Sequence, residues 1–259
     1  MTPYEKVKAA RAAGRLTSVD FIKNIFTDFT EFHGDRRFGD DRAIVAGIAS
    51  LSGMPVTVIG LEKGHDTKTK IKRNFGAAHP EGYRKALRQM KLAEKFGRPV
   101  ICFVDTSGAY CGIGAEERGQ ALAIAENLSE MMTLKVPVLS ILIGEGGSGG
   151  ALALAVADEV WMLENSVYSV ISPEGCASIL WKDPSKVEEA SKCLKLTAHD
   201  LKELGVIEKI ISEPDKIVNF YEELKKLIVN TVSENMKLPV EELLAKRYEK
   251  FRKIGRPIL

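Results

Sequence analysis

A glycine-rich segment at residues 144–150 has the composition expected where backbone amides bind an anion. It reads Gly-Glu-Gly-Gly-Ser-Gly-Gly and follows an apolar run at residues 138–143. Glycine lets the backbone approach a ligand closely, and the first N–H groups of a helix have no acceptor within that helix. Such amides stabilise developing negative charge without a catalytic side chain. We therefore expect a strand-to-helix junction here, followed by a buried helix in the apolar residues 151–157.

Other interpretations fit the same residues. Residues 146–150 match the Gly-x-Ser-x-Gly nucleophile elbow, which would make Ser148 a hydrolase nucleophile. The only histidine after it, His199, lies at a predicted helix start, which disfavours a triad. Residues 144–149 match the dinucleotide-binding spacing, with Glu164 twenty residues on, but that fingerprint normally opens the first unit of its domain. A glycine-rich turn that only packs is the remaining interpretation.

Two carboxylates, Glu116 and Glu117, follow a second glycine-containing loop at residues 105–114. In the first turn of a predicted helix they could act as general acid and base, as a hydratase requires. They could also complement the helix dipole and pair with Arg118, and we favour this second interpretation.

A basic segment at residues 63–73 contains five Lys and Arg residues and one His against a single acid, Asp66. This charge density suits a phosphate- or carboxylate-bearing ligand, although a solvated charged face has the same composition. Phe75 is the only aromatic residue nearby, so single-stranded nucleic acid is not indicated.

The overall composition excludes several classes of protein. Lys and Arg number 37 against 35 Asp and Glu, giving a net charge of +2 that does not favour nucleic acid. No apolar run approaches the ~20 residues that span a bilayer, and the first residues lack a signal-peptide core. The four cysteines form no Cys-x-x-Cys pair, so we expect reduced thiols, no metal site and a cytoplasmic protein without membrane attachment.

Strand–glycine loop–helix units recur at a spacing of about 40 residues and predict an α/β fold with a largely parallel sheet. The predicted elements are a helix from Thr17 with apolar spacing to Phe29, a hairpin over residues 43–61 turning at Ser52-Gly53, helices at 81–96 and 115–132, strands at 99–104, 137–143 and 167–171, a helix ending at Gly205 and β structure at 206–211.

The chain is expected to form a single domain over residues 1–259, with helical regions at residues 1–34 and 214–259. In the C-terminal region Ile217, Tyr221, Leu224 and Ile228 follow a 4-3-4 spacing on one long helix. That stripe is either core or a partner surface, and we favour core.

Several longer runs resemble the carboxyltransferase α subunit of bacterial acetyl-coenzyme A carboxylase. Besides the glycine-rich segment, the matching residues are 34–36, 70–76, 80–87, 114–120 and 168–181. Runs of this length are more specific than a three-residue motif. The resemblance implies the crotonase fold of that family, a superhelix of ββα repeats.

The resemblance also implies a reaction. A carboxyl group would pass from carboxybiotin on the biotin carboxyl carrier protein to acetyl-coenzyme A, giving malonyl-coenzyme A for fatty acid biosynthesis. The amides of Gly149 and Gly150 would form the oxyanion hole for biotin. Because biotin that has lost its carboxyl group can take the proton, no Ser or His catalyst is needed. Substrate-binding residues carried over in the same way are Lys70, Lys72, Arg73, Gly108, Gly146 and Gly147.

The implied partners are a carboxyltransferase β subunit, in an α2β2 assembly, the carrier protein and biotin carboxylase, which alone would use ATP. Two enzymatic or structural alternatives remain: a coenzyme A-thioester hydratase or decarboxylase using Glu116 or Glu117, and a non-catalytic assembly subunit. One departure from the family is that Ser107 and Cys111 stand where proline is usual, which should make that loop less stiff.

Overall fold

The computed structural model describes residues 1–213 and 219–255 of the chain. Within these residues eight strands form one sheet. The strands are β1 (Thr27–Glu31), β2 (Ile44–Leu51), β3 (Met54–Leu61), β4 (Val100–Thr106), β5 (Val138–Gly147), β6 (Glu159–Leu163), β7 (Val167–Ser169) and β8 (Lys209–Ile211). They lie in the order β1-β2-β3-β4-β5-β6-β8, and β7 pairs with β5.

Twelve α-helices surround the sheet within the same residues. They are α1 (Pro3–Ala10), α2 (Ser18–Ile25), α3 (Thr67–Lys72), α4 (Pro80–Lys95), α5 (Ile113–Glu117), α6 (Gln120–Thr133), α7 (Ser148–Leu152), α8 (Pro173–Leu180), α9 (Val187–Cys193), α10 (Ala198–Glu203), α11 (Phe220–Asn235) and α12 (Val240–Lys253). Short 3₁₀ turns occur at Asn74–Gly76 and Pro184–Lys186. None of the described helices is long and apolar enough to cross a membrane.

The sheet is mixed, as its connections require. β1, β2 and β3 are antiparallel, and β2 and β3 form the predicted hairpin. Its turn residues Ser52 and Gly53 both have positive φ, 51° and 87°, which suits a tight two-residue hairpin. From β3 through β4, β5 and β6 to β8 the pairing is parallel, with helical crossovers between strands. The predicted α/β architecture is confirmed.

Alternate side chains of the central strands enter two separate cores. On β4, Val100, Cys102 and Val104 pack on the side of α4 and α6, whereas Ile101 and Phe103 pack on the side of α2 and α11. A strand buried on both faces reads as a continuous apolar run, which is why residues 99–104 showed no alternation. The two cores fix the carboxyl ends of β4 and β5 side by side.

β5 is ten residues long and pairs with two strands in succession. Leu139 pairs with Glu159 of β6, and Glu145 pairs with Val167 of β7. Strand pairing therefore extends through Gly147, four residues into the segment predicted to be the strand-to-helix junction. The carboxyl end of β5 is therefore held by β7 after its pairing with β6 has ended.

Three predicted boundaries were wrong. The N-terminal region is not wholly helical, because α2 ends at Ile25 and Phe29 lies in β1, where pairing with the edge of β2 outweighs helical spacing. The helix predicted at 115–132 is divided, since Gly119 adopts a φ of 81° that interrupts the helical ladder. The buried helix predicted at 151–157 ends at Leu152, although the residues after it remain buried.

The C-terminal stripe packs in the core. Leu224 and Ile228 are buried beside Phe21 of α2, and Tyr221 packs on the same cluster. The core interpretation is confirmed for these residues, while Ile217 lies outside the described part of the chain.

Arg247 on α12 joins the C-terminal region to the sheet. Its side chain is fully buried and donates to both carboxylate oxygens of Asp158, each at 2.8 Å. The remaining N–H groups donate to the carbonyls of Met131, Leu134 and Val136, at the end of α6. Arginine suits this site because its planar fork can satisfy several acceptors at once.

We expect Arg247→Ala to lower the free energy of unfolding by about 3–5 kcal/mol, because Asp158 would be left buried and unpaired. Urea denaturation of the protein measures the change. Lys246→Ala is the control, because Lys246 is exposed and pairs only with Glu242 one turn away. Equal midpoints for the two variants would show that α12 is not anchored through this side chain.

Candidate functional site

The glycine-rich segment and the 105–114 loop meet at the carboxyl ends of two neighbouring parallel strands. Thr106, the last residue of β4, pairs with Gly146 of β5. The loop after β4 and the start of α7 after β5 therefore lie against each other. In open α/β sheets ligands usually bind at this edge, outside the carboxyl ends of the strands.

Three glycines of the segment are required by close packing. A Cβ on Gly144 would overlap the carboxylate of Asp105, and one on Gly147 would overlap the carbonyl oxygen of Ser107. A Cβ on Gly150 would lie 2.5 Å from the nitrogen of Ala109. At Gly149 the nearest atom would be 3.5 Å away, so space alone does not demand glycine there. Packing thus explains why Gly144, Gly147 and Gly150 are glycines. For Gly149 the explanation must lie in the direction of its backbone amide.

Several backbone N–H groups at this junction have no hydrogen-bond acceptor among the described residues. α7 begins at Ser148, so helix geometry provides no intrahelical acceptor for the N–H groups of Gly149 and Gly150. The N–H of Gly108 donates to Thr106 Oγ1 at 3.1 Å, but that of Ala109 has no acceptor among the described residues. We call residues 108–109 together with 149–150 the cradle. Sequence reasoning missed Ala109, whose only signal was its place after a glycine in the loop beside β4.

Ser148 resembles an elbow nucleophile in one respect. Its φ is 53°, in the left-handed region, and its side chain is exposed. It lies at the edge of an apolar cavity of about 380 Å³ whose lining includes Leu152, Tyr168 and Phe251 but no acid or base. No hydrogen bond joins its hydroxyl to a histidine or carboxylate within the described residues. The arrangement therefore provides no triad.

The dinucleotide interpretation is also unsupported. Residues 145–147 continue β5, so the pattern does not open a helix in the required way, and α7 is only five residues long. Glu164 lies near Lys6, with 3.8 Å between the amine and the carboxylate, and faces α1.

A network of buried and half-buried charges lies at the same strand ends. Lys63 Nζ is 2.7 Å from Asp105 Oδ1 and 3.0 Å from Glu145 Oε2. Arg11, the residue that follows α1, donates to Glu145 at 2.7 Å and to Glu174 at 2.7 Å. The backbone N–H of Glu145 also donates to Asp105, at 2.8 Å. The network connects β4, β5 and the N-terminal helix at the edge of the sheet that carries the cradle.

The network shifts the pKa of each member. Burial opposes the charge on Lys63, but Asp105 and Glu145 outweigh it and raise the pKa of the amine. Burial likewise works against ionised Glu145, yet Lys63 and Arg11 hold its pKa below the usual 4.5. Burial raises the pKa of Asp105 despite the adjacent Lys63. Lys63 and Glu145 are thus held charged as an ion pair, whereas Asp105 is the buried member whose charge is disfavoured.

The basic segment does not form one patch. Lys63 belongs to the buried network, and Arg73 donates to the carbonyl of Arg42 at 2.7 Å. Lys70 and Lys72 line different cavities, the first beside Lys63 and Asp105 and the second beside the polar side chains near His79. The predicted charge is present, but it is divided between two faces.

Glu116 and Glu117 are exposed on α5 and are not in the cradle. The predicted pairing with Arg118 is wrong: that guanidinium pairs with Glu81 at 2.5 Å and stacks over Phe38. The isolated position of these carboxylates disfavours a hydratase. No group of three or more His, Cys, Asp or Glu in the described residues is arranged to hold a metal ion.

The 105–114 loop lacks the two prolines that are usual in the family, and other contacts hold it in place. The N–H of Tyr110 donates to the carbonyl of Ala78 at 3.0 Å, and Gln120 donates to the carbonyls of both residues. The ring of Tyr110 stacks on His79 with 4.0 Å between centroids. These contacts limit the freedom that Ser107 and Cys111 would otherwise allow.

We expect Lys63→Met to lower the free energy of unfolding at pH 7 by about 3–5 kcal/mol, because it leaves the buried Asp105 without a cation and Glu145 with Arg11 alone. In the wild type, the stability due to Glu145 is present above pH 4.5 and lost as pH falls through its lowered pKa. The contribution of Lys63 persists until pH rises through a pKa above 10.5. The contribution of this pair to wild-type stability is therefore flat between pH 8 and 5.

The variant should instead become more stable as pH falls from 8 to 5, since protonating a crowded carboxylate relieves its repulsion. Urea unfolding across that range measures the slope, with Lys68→Met, an exposed residue of the same segment, as the control. A flat profile for Lys63→Met would show that the cluster is solvated rather than buried.

Comparison with known proteins places the chain in one family. The family described as acetyl co-enzyme A carboxylase carboxyltransferase-like matches residues 1–255. The acetyl-coenzyme A carboxylase carboxyl transferase subunit alpha of Ruminiclostridium cellulolyticum is 66% identical over 256 residues, covering 98% of each chain. A subunits beta/alpha protein of Natranaerobius thermophilus is 60% identical over 99% of this chain and 43% of its own length.

Solved structures share the fold at low identity. A transcarboxylase 12S chain matches with a TM-score of 0.67 and 18% identity, over 85% of this chain and 42% of its own. A chain of a Pseudomonas malonate decarboxylase hetero-tetramer matches with a TM-score of 0.67 and 17% identity, over 82% of this chain and 86% of its own. The crotonase-like fold is thereby confirmed. With sequence matches spanning nearly its whole length, the chain belongs to the carboxyltransferase family of acetyl-coenzyme A carboxylase and is similar to its alpha subunits.

Proposed function

We propose that the chain is the α subunit of the carboxyltransferase component of acetyl-coenzyme A carboxylase and binds carboxybiotin in the cradle. Carboxybiotin on the carrier protein would supply the carboxyl group and, once that group has left the ureido nitrogen, the base that accepts the methyl proton of acetyl-coenzyme A before the new C–C bond forms. The observation that supports this role best is the set of unused amides at residues 109, 149 and 150, beside which no acid or base is available.

The cradle suits a planar ring bearing an oxygen that becomes negative. Amide hydrogen bonds strengthen as charge develops, so they stabilise the transition state more than the ground state. Gly149 and Gly150 would donate to that oxygen from the start of α7, and Ala109 from the opposite segment. The absence of a Cβ at Gly150 lets the loop that carries Ala109 approach the start of α7, so that amides from both segments can reach one oxygen.

The other predicted residues would contribute through shape, backbone conformation or charge. Gly146 and Gly147 would act through shape, because a Cβ on either would strike Leu142 or Ser107 and displace the cradle. Gly108 would also act through its backbone conformation, since its own N–H is bonded to Thr106. Lys70 and Lys72 would attract the acidic parts of the carrier or of acetyl-coenzyme A.

A β subunit would complete the active site and bind most of the acetyl-coenzyme A. The Natranaerobius relative, whose name covers both subunits in one chain, supports this partnership. Three exposed apolar side chains near the cradle loop, Phe38, Tyr110 and Ile113, are suited to burial against such a partner. The complex would be an α2β2 heterotetramer in the cytoplasm, supplied with carboxybiotin by biotin carboxylase, which uses ATP.

The proposal is tested by co-expressing the chain with a β subunit and following malonyl-coenzyme A decarboxylation with biocytin as acceptor. The complex should catalyse the reaction, and the isolated chain should not. Robust acetyl-coenzyme A carboxylation by the isolated chain with carboxybiotin would contradict the shared site. Hydration of an enoyl-coenzyme A by the chain would favour the hydratase alternative.

We expect Gly150→Ala to lower turnover about 10²–10³-fold, the loss typical when one oxyanion donor is misplaced. The added methyl would press on the Ala109 nitrogen at 2.5 Å and move both sides of the cradle apart. Gly149→Ala is the matched control for space, since its methyl would meet only Ile124 at 3.5 Å.

Ser148→Ala should retain most activity, because the hydroxyl has no catalytic role in this proposal. Turnover, melting temperature and co-purification with the β subunit are measured on the same samples. A folded, assembled Ser148→Ala variant without activity, beside a Gly150→Ala variant of near-normal rate, would restore the nucleophile interpretation.

We expect the Lys70→Ala/Lys72→Ala double variant to raise KM for the carrier or for acetyl-coenzyme A several-fold at low salt, while melting changes little. Surface charges typically alter stability by about ±0.5 kcal/mol. Because screening removes the same attraction in the wild type, the difference should shrink as ionic strength rises. A wild-type KM for both substrates at low salt would show that these lysines form only a solvated face.

A further inference from the structure

The hydroxyl of Thr106 both donates a hydrogen bond to, and accepts one from, a single residue of the cradle. Thr106 is fully buried at the end of β4. Its Oγ1 donates to the carbonyl oxygen of Gly108 at 2.7 Å and accepts from the N–H of Gly108 at 3.1 Å. A hydroxyl can donate one hydrogen bond, so its donor capacity is fully used here. The backbone of Gly108 is thereby held on both sides.

Thr106 holds the backbone of Gly108 in a conformation that an unconstrained chain would rarely adopt. Gly108 has a φ of 153°, which residues with a Cβ seldom adopt. No atom lies within 4 Å of the position a Cβ would take, so glycine is needed here for its dihedral angle and not for space. Glycine is also the residue with the most alternative conformations, and an external contact is needed to select one.

Fixing the Gly108 carbonyl also sets the direction of the next amide. The carbonyl of Gly108 and the N–H of Ala109 belong to the same planar trans peptide and point in opposite directions. With the oxygen turned toward Thr106, the N–H of Ala109 is turned away from it. The nitrogen of Ala109 lies against Gly150, and its N–H has no acceptor among the described residues.

We propose that Thr106 is a positioning residue for carboxyl transfer, whose hydroxyl aims the Ala109 amide at the oxygen bound in the cradle. The inference rests on the proposed function. Thr106 does not touch the substrate, so its contribution appears only through Ala109. Removing the hydroxyl frees the peptide to rotate, and a rotated amide cannot stabilise charge that develops in the transition state.

The test compares Thr106→Val, which keeps the shape and removes the hydroxyl, with Thr106→Ser, which keeps the hydroxyl. In complex with the β subunit, Thr106→Val should lower kcat about 10- to 100-fold, less than complete loss of a donor. KM for biocytin should change less than about threefold, because the amide acts mainly in the transition state. Thr106→Ser should restore kcat to within about threefold of the wild type.

Thr57→Val is the matched control for the loss of a buried hydroxyl. Thr57 is 1% exposed on the adjacent strand β3, and its Oγ1 accepts a hydrogen bond from Arg98 at 3.2 Å. It pairs with Val100, at the amino end of β4, about 20 Å from Thr106 along the strand. It should resemble Thr106→Val in melting temperature and the wild type in kcat.

Two results would overturn the inference. One is equal loss of kcat in Thr106→Ser and Thr106→Val, which would assign the effect to packing. The other is a normal kcat for Thr106→Val in a preparation where Gly150→Ala is inactive, which would leave the proposed function standing without this contribution. Absence of any transfer by the wild-type complex would instead overturn the proposed function and this inference together. Failure of the inference alone is therefore distinguishable from failure of the proposed function.

Discussion

The structure depends on one close approach between two backbone segments. The loop after β4 and the start of α7 pack so tightly that Gly147 and Gly150 have no room for a Cβ. That contact brings amides from two parts of the chain to one place, and parallel pairing of β4 with β5 makes it possible. The cores on either side of the sheet hold the strands in register. The long helices mainly serve this alignment.

Buried charges reinforce the same edge of the sheet. Lys63 bridges Asp105 and Glu145, the residues that precede the two halves of the cradle, and Arg11 adds a second cation from the end of α1. A network of this kind is costly to bury unless every partner is present, so it specifies one arrangement of the strand ends. It also occupies the carboxylates nearest to the cradle, which leaves the backbone as the chemically available group.

Much of this could be read from the sequence, and the failures have physical causes. Glycine composition located the cradle, and alternation of strands and helices gave the architecture. The partner of the segment, Ala109, was not visible, because an amide carries no residue-type signal. The basic run at residues 63–73 was read as one surface, but tertiary pairing buried Lys63 and turned its neighbours toward different cavities. Pairing with β2 likewise converted residues 27–31 from helix to strand.

The salt bridges of α1 and the residues after it up to Arg15, here called the N-terminal arm, bear on the order in which the protein folds. Arg11 pairs with Glu145 and Glu174, which follow it by 134 and 163 positions, and Arg15 pairs with Glu213, 198 positions later. Contacts of such high sequence separation close large loops and form slowly. During synthesis, α1 cannot reach its final partners until most of the chain has left the ribosome. The arm is made before its partners and docks after them, so the cradle is backed by its full set of charges only late in folding.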